Sequence, residues 1–291
     1  MSQDKIQKYN RKLMDRLSLY LNLQPDFINE NMIDELVSEC HLDKKEAFSI
    51  LLADICGLDT IDNMEDRQLY DNYFPYMIHN LDVKKYKNNP YYNNIKIPPV
   101  KIGKWELKED KYKPYEGFVF NDLEEKEDGR LIPQIGFFDV EFHFPVVLEN
   151  NREWMLITPN EIETMEKAVK KAKGEVLTYG LGLGYYAYMV SQKEDVTSLA
   201  IVEKDENVIN LFVKYILPQF ENKNKITIIK EDAFKYAKDQ MHKAIYDFVF
   251  VDIWHDPSDG VDMYLKMKKY ENKDSETKYM YWIEKTISCY L

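Results

Sequence analysis

The chain has 291 residues, only 10 of them glycine, and its formal net charge is −12 at pH 7. A hydrophobic fraction of 45% excludes disordered, linker-like and collagen-like chains, and the length allows one or two domains with buried cores. The negative charge argues against nucleic acid as a partner, because a groove that follows a phosphate backbone needs clustered Lys and Arg.

Cysteine usage and the N-terminus predict a cytoplasmic protein. Cys40, Cys56 and Cys289 are widely spaced and form no CxxC pair, which indicates reduced thiols. The mixed charges of residues 1–5 argue against a secretory signal. No apolar run approaches the roughly 18–20 residues that span a bilayer, so we expect no membrane partner.

Residues 1–94 are predicted to form a helical N-terminal region. Apolar side chains recur at helical spacing near the start of the chain, at Ile6, Tyr9, Leu13, Leu17 and Leu21. A second helix is expected after Pro25, and a third between a capping box at 43–46 and Gly57. Asparagine and proline turn signals between 88 and 99 mark the end of this region.

The following segment, residues 95–157, is predicted to be β-rich. Strands are expected at 117–120, 135–144 and 154–157. The acidic run at 124–129 is interpreted as a solvated hairpin tip rather than as an acidic site.

From residue 158 onward, strands alternate with helices, which predicts an α/β fold with a Rossmann-like parallel sheet in residues 158–291. The first helix carries an N-terminal signal in Thr158, Pro159 and Glu161. Four strands are predicted, at 176–179, 198–203, 226–230 and 246–252.

The end of the chain is predicted to lack a fifth strand, because 263–270 and 277–290 have helical patterns. Either the sheet is shortened at its C-terminal end, or strands before residue 158 complete it.

Three of the ten glycines lie in one predicted strand-to-helix turn, at Gly180, Gly182 and Gly184. Backbone in such a turn approaches a ligand closely, and ligands of open α/β sheets lie across the carboxyl ends of the strands. Glu203 ends the next strand, where a carboxylate accepts from ribose hydroxyls, and Asp232 ends the third, where it accepts from an adenine amino group. The alternative is structural: glycines that pack helix on strand, and acids that cap helices.

A dinucleotide fingerprint would have its third glycine one residue later, where this chain has Tyr185. The pattern GxGxG, then an acid closing strand two, then Asp-Ala closing strand three, resembles the class I S-adenosylmethionine-dependent methyltransferases over about residues 158–260. It looks closest to their spermidine-synthase-like branch, which also lacks the acid two residues before the first glycine, here Thr178, and also has a preceding β-rich segment.

The resemblance implies S-adenosylmethionine as the cofactor. The three glycines would face its methionine part, Glu203 its ribose, and Asp232 with the amide of Ala233 its adenine. Tyr185, next to the glycine turn, would cover the cofactor or belong to the core.

Three residues at the end of the fourth strand are candidates for catalysis: Asp252, His255 and Asp256. His255 is a candidate general base oriented by Asp256 or Asp252, and the alternative is a surface loop histidine. Aminopropyltransferases have an Asp-x-x-Asp-Pro motif here, whereas residues 252–257 contain one extra residue between the acids. No metal site is predicted, since the histidines lack metal-ligand spacing.

Three functions remain open at this point. The chain is a methyltransferase acting on a small molecule or a protein side chain, an aminopropyltransferase using decarboxylated S-adenosylmethionine and a polyamine, or a non-catalytic scaffold that keeps the fold. A small-molecule partner is expected rather than a macromolecule, and pairing of a sheet edge into a homodimer is left open.

Overall fold

The computed structural model describes residues 1–243, 246–273 and 275–291. Within these residues the chain forms two units, residues 1–86 with 111–143 and residues 87–110 with 144–291. Both units are discontinuous in sequence, whereas the three domains predicted above are continuous segments. That division of the sequence stays a prediction.

The α-helices of the described residues are α1 (Gln3–Leu23), α2 (Glu30–Cys40), α3 (Lys44–Ile55), α4 (Met64–Met77), α5 (Val83–Lys87), α6 (Pro90–Asn94), α7 (Pro159–Lys171), α8 (Tyr185–Ser191), α9 (Glu206–Leu211), α10 (Ala233–Gln240), α11 (Pro257–Lys268) and α12 (Glu284–Ser288). The strands are β1 (Ile78–Asn80), β2 (Val100–Ile102), β3 (Trp105–Tyr112), β4 (Phe118–Glu125), β5 (Leu131–Phe137), β6 (Phe142–Glu149), β7 (Arg152–Leu156), β8 (Gly174–Tyr179), β9 (Val196–Glu203), β10 (Ile226–Lys230), β11 (Phe248–Val251) and β12 (Lys278–Tyr281). In this part of the chain, no helix has both the length and the apolar surface that a membrane crossing requires.

The first unit combines α1–α4 with a sheet of order β1-β5-β4. The predicted capping box is present, because Asp43 accepts from the Glu46 amide at 2.8 Å and Glu46 accepts from the Asp43 amide at 3.1 Å. The predicted stripe of α1 is buried up to Leu17, after which Tyr20 takes the place expected for Leu21. The acidic run at 124–129 lies at the tip of the β4–β5 hairpin, as predicted.

The second unit contains a parallel sheet of order β10-β9-β8-β11-β12. The four predicted strands are confirmed, with β8 at the centre. The chain proceeds from β8 outward to β10 and then returns to the other side of β8 at β11. A reversal of this kind is the switch point at which open α/β sheets bind ligands, outside the carboxyl ends of the strands.

The prediction that no fifth strand exists is wrong. Lys278–Tyr281 pairs in parallel with β11, and Met280 lies opposite Phe250. Only the second part of the segment expected to be helical forms a helix, α12. A short apolar and aromatic run fits the hydrophobic period of a helix as well as that of a strand. Here the pairing with β11 makes this run a strand. The sheet is thus completed by β12, not by strands before residue 158, and among the described residues no β-hairpin follows it.

A separate sheet of order β2-β3-β6-β7 precedes the parallel sheet in the chain. The expected strand at 135–144 is in fact the end of β5 and the start of β6, with a turn between them. The β2–β3 turn and the β6–β7 turn of the second unit are adjacent, because the Asn150 amide donates to the Lys104 carbonyl at 2.8 Å. Asn150 and Asn151 both have positive φ, which suits the two central residues of a type I′ hairpin turn.

Candidate functional site

A cleft with two adjoining lobes lies at the carboxyl edge of the parallel sheet, and its lining residues belong to the second unit. The first lobe, of about 310 Å³, contains the ends of β9 and β10. The second lobe, of about 260 Å³, contains the start of α7 and of α8. The lobes share Trp154, Met155, Gly180, Leu181, Gly182, Asp252, Trp254 and His255. Small-molecule sites have volumes from about 300 Å³ upward; the first lobe reaches this volume and the second lobe is slightly smaller.

The three glycines of the turn have different surroundings. A Cβ on Gly180 would meet the carbonyl oxygen of Asp252 at 1.9 Å, and one on Gly184 would meet the ring of Phe212 at 2.3 Å. A Cβ on Gly182 would have only the Met155 sulfur within 4 Å, at 3.8 Å, and Gly182 lines both lobes. All three have positive φ, between 56° and 97°. Gly184 serves packing and lines neither lobe, so the expectation that all three glycines face the cleft fails there.

Glu203 connects the end of β9 to the glycine turn. Its carboxylate accepts from the amide of Asp205 at 2.8 Å and from the amide of Leu181 at 3.4 Å. Burial raises the pKa of Glu203 above its ordinary value, and these amides oppose that rise. Each carboxylate oxygen has a second lone pair, so Glu203 retains the ability to accept from a ligand in the first lobe.

Asp232 and Ala233 also line the first lobe, at the end of β10. One oxygen of Asp232 caps α10 by accepting from the Lys235 amide at 3.0 Å. The helix-capping interpretation is therefore correct for that oxygen of Asp232, and its other oxygen remains available to a ligand. The amide of Ala233 starts the helix and has no acceptor within it.

Tyr185 lies in the first turn of α8 and lines the second lobe. Its side chain is only 6% exposed, and its hydroxyl accepts from the amide of Asn89 at 3.1 Å. The ring is therefore fixed beside the glycine turn and belongs to the packed interior, and its predicted role of covering a cofactor stays a prediction.

Asp252 follows β11 and lines both lobes. Burial, with a smaller contribution from the charge of Glu161, raises the pKa of Asp252 to about 8. Among the described residues, no side chain or amide forms a hydrogen bond with its carboxyl group. Glu161, in the first turn of α7, lines the second lobe, and burial raises its pKa to about 7.

His255 lines both lobes, but its predicted orientation is wrong. Its Nδ1 lies 3.1 Å from Oδ2 of Asp259, not beside Asp256 or Asp252. The imidazole ring also contacts the Trp154 ring edge-on, with centroids 3.9 Å apart. Asp256 caps α11, accepting from the Ser258 amide at 2.6 Å, and it lines neither lobe. The extra residue in 252–257 thus places this acid at a helix start.

Sequence reasoning missed residues that reach the cleft from distant segments. Lys104 and Trp105 come from the β2–β3 hairpin, and Lys104 pairs with Glu149 and, at 3.8 Å, with Asp205. The sequence around Glu161 predicts only a helix start, whereas the structure places this residue in the lining of the second lobe. No periodicity marks such positions, and only the pairing of hairpins and strands brings them to the sheet edge.

Residues 155–271, about two fifths of the chain, match the family model described as the spermine/spermidine synthase domain. No curated protein matches the chain significantly.

Three solved structures with similarity to the chain have TM-scores of 0.28–0.32 and identities of 13–19%, and we base no conclusion on them. M. capricolum TrmK in complex with S-adenosyl-homocysteine is 13% identical, with 40% of this chain and 49% of that chain covered and a TM-score of 0.32. A putative O-methyltransferase from Klebsiella pneumoniae is 16% identical (37% and 47% covered, TM-score 0.28). Spermidine synthase from Thermotoga maritima is 19% identical (38% and 40% covered, TM-score 0.29). The match thus spans about half or less of each of those chains.

The order of the parallel strands and the family-model match agree with each other. The second unit has a Rossmann-like fold of the class I methyltransferase type, and its resemblance to the spermidine-synthase-like branch is confirmed over residues 155–271.

Proposed function

We propose that the second unit binds S-adenosylmethionine in its cleft and transfers the methyl group to a small-molecule acceptor. The observation that carries this proposal is the convergence of Gly182, Glu203 and Asp232 on one lobe at the switch point of the sheet. These residues come from three successive strand ends, and together they offer backbone without a Cβ and two carboxylates that accept from hydroxyl and amino groups.

The residues present fit an adenosyl group. Glu203 would accept from the ribose hydroxyls with lone pairs that its two backbone donors leave available. The free oxygen of Asp232 and the Ala233 amide would accept from and donate to the adenine. The indole Nε1 of Trp105, a residue of this lobe, is buried and has no hydrogen-bond partner among the described residues, so it is a further candidate donor.

When bound, S-adenosylmethionine supplies an electrophilic methyl group for in-line displacement. The protein must then hold the nucleophile close to it and accept a proton where the nucleophile is an amine or hydroxyl. Asp252, which lines both lobes, has a pKa of about 8 and is suited to proton exchange near neutral pH. His255 lines the same boundary and is a second candidate base.

An aminopropyltransferase is the second candidate, favoured by the family model that matches residues 155–271. Asp256, the acid that would correspond to the second Asp of the aminopropyltransferase motif, caps a helix outside the cleft. This position argues for the methyltransferase.

Product analysis by mass spectrometry tests the proposal. Purified protein is incubated with S-adenosylmethionine and a panel of amines, alcohols and carboxylic acids, and, separately, with decarboxylated S-adenosylmethionine and putrescine. We expect S-adenosylhomocysteine that forms only when an acceptor is present. Spermidine in the second reaction would favour the aminopropyltransferase, and cofactor binding without any product would favour the scaffold.

A further inference from the structure

His255, which lines both lobes, forms a hydrogen-bonded pair with Asp259 of α11. Nδ1 of His255 lies 3.1 Å from Oδ2 of Asp259. A carboxylate only accepts hydrogen bonds, so in the neutral imidazole the hydrogen of this contact belongs to Nδ1. Nε2 of His255 then has a lone pair and no hydrogen, which makes it a proton acceptor.

Backbone amides hold Asp259 in the position that this contact needs. Oδ1 of Asp259 accepts from the amide of His255 at 3.1 Å and from the amide of Asp256 at 3.2 Å, as part of the capping box of α11. Oδ2 faces the imidazole and also lies 3.4 Å from the His255 amide. The start of the helix therefore fixes the carboxylate that orients His255.

The imidazole ring is restrained by a second contact, and it still reaches water. The ring of Trp154 meets it edge-on, with centroids 3.9 Å apart. The His255 side chain is 37% exposed, so a proton taken up at Nε2 can pass to solvent. A general base needs both a fixed direction and a protonation state that is restored after each turnover.

Asp252, the other candidate base of the cleft, lacks these properties. Among the described residues, no group forms a hydrogen bond with its carboxyl group, so no partner fixes its direction. Because burial raises the pKa of Asp252 to about 8, this carboxyl group is mostly protonated at neutral pH. A protonated carboxyl group cannot accept the proton of a nucleophile, and His255 is better suited to that step.

We propose that Nε2 of His255 is the catalytic base of the methyl transfer and that Asp259 is its positioning residue. Asp259 thus takes the orienting role that the sequence suggested for Asp256 or Asp252. The nucleophilic atom of the acceptor then carries a hydrogen, in contrast to a carboxylate, which needs no base. This inference rests on the proposed function, since the base acts on an acceptor beside bound S-adenosylmethionine.

The transfer balances in protons and electrons. The nucleophile gives its proton to Nε2 of His255. Its electron pair forms the new bond to the methyl carbon while the S–C bond breaks and those electrons stay on sulfur. The products are the methylated acceptor, S-adenosylhomocysteine and an imidazolium, which the charge of Asp259 stabilises. The Nε2 proton then leaves to water.

Nitrogen NMR of the neutral imidazole at alkaline pH tests the positioning role, with His255→Gln to assign the signal among the five histidines. We expect the hydrogen of wild-type His255 on Nδ1. In Asp259→Asn, the side-chain oxygen would stay with the two backbone donors and the NH₂ group would face Nδ1. Nδ1 must then accept, so the hydrogen should move to Nε2. Asp262→Asn, an exposed residue of the same helix, should keep the wild-type form.

Two cofactor analogues test whether Nε2 faces the reacting centre, and this comparison needs no acceptor. Sinefungin carries an amine near the position of the transferred methyl group, and S-adenosylhomocysteine has no group there. A hydrogen bond from that amine, direct or through one water, should shift the Nε2 resonance of wild type toward that of a protonated nitrogen. S-adenosylhomocysteine should leave the resonance where it is.

Kinetics with the acceptor that the product analysis yields test the catalytic role. His255→Gln and Asp259→Asn should each lower kcat by roughly 10²- to 10⁴-fold, with the KM for S-adenosylmethionine within about threefold of wild type. The double variant should be no slower than His255→Gln alone, because the two residues act as one unit. Asp262→Asn should react like wild type.

Any of three results would overturn the pair. The first is wild-type protein in which the neutral His255 carries its hydrogen on Nε2. The second is an Nε2 resonance that is the same in the sinefungin and S-adenosylhomocysteine complexes. The third is a wild-type kcat in His255→Gln. Failure of folded protein to bind either analogue would instead contradict the proposed function.

Discussion

The glycines of the 180–184 turn show how residues with the same backbone preference serve different ends. Gly180 and Gly184 leave room for protein atoms, the Asp252 carbonyl and the Phe212 ring, whereas Gly182 leaves room at the cleft. The packing interpretation of the motif is therefore correct at Gly180 and Gly184, and the ligand-binding interpretation stays a prediction at Gly182. The sequence alone offered no means to assign them, because the contacts of Gly180 and Gly184 come from residues 72 and 28 positions further along the chain.

Alanine substitutions should separate these roles. Gly180→Ala would place a Cβ 1.9 Å from a backbone oxygen, so we expect a loss of stability of roughly 3 kcal/mol or more, or failure to fold. At Gly182 the backbone φ is positive, but a Cβ would have open space around it. We therefore expect Gly182→Ala to lose about 1–2 kcal/mol of stability. Its affinity for S-adenosylhomocysteine should nevertheless fall markedly. Chemical denaturation and calorimetry measure both effects, and equal losses of stability would contradict the assignment.

The carboxyl group of Asp252 predicts a pH-dependent stability. Its pKa rises from the ordinary 3.8 to about 8 on folding, so the folded state holds a proton that the unfolded state has lost between these values. The wild-type free energy of unfolding therefore decreases as pH rises from about 4 to 8.

Asp252→Asn removes the contribution of this carboxyl group to the pH dependence. We expect its melting temperature relative to wild type to be higher at pH 9 than at pH 5, by roughly 2–4 °C or more. Asp239→Asn, an exposed residue of α10, serves as the control. An Asp252→Asn difference that is the same at both pH values would show that the carboxyl group is not desolvated.

At the scale of elements, the sequence predicted α1, α2 and α3 of the first unit and four strands of the parallel sheet, because caps and periodicity are local signals. Thr158 is an example, since it caps α7 as expected by accepting from the Asn160 amide. β12 was missed because its four residues acquire their role only by pairing with β11. Propensity in so short a segment does not distinguish a strand from a helix.

Hydrogen exchange tests the presence of β12. The Lys278 amide donates to the Asp247 carbonyl at 3.0 Å, and the Trp282 amide donates to the Val251 carbonyl at 2.9 Å. We expect the donor amides of β12 to exchange at rates within about an order of magnitude of those in β11. Exchange of residues 278–282 at the rate of the exposed C-terminal residues would contradict the fifth strand.

At the scale of the whole molecule, the sequence predicted the cleft residues that lie at strand ends. It did not predict the cleft residues that β-hairpins contribute. Glu203 and Asp232 follow strands whose order is set by the βα pattern, so their common edge could be inferred. Trp105 and Trp154 enter the same cleft from a sheet whose place in the unit depends on its long-range pairing. Under the proposed function such residues would select the acceptor, which is why the sequence suggests a cofactor but names no acceptor.

The central claim is that the first lobe holds an adenosyl group against Glu203. Calorimetry with S-adenosylhomocysteine on wild type, Glu203→Gln and Glu206→Gln tests it most directly, with folding verified by circular dichroism. Glu206 is the matched control, because it is exposed on α9 and pairs with Lys230. We expect wild type and Glu206→Gln to bind alike and Glu203→Gln to bind about 10- to 100-fold more weakly. No binding to folded wild-type protein at millimolar ligand, or unchanged binding by Glu203→Gln, would contradict the account.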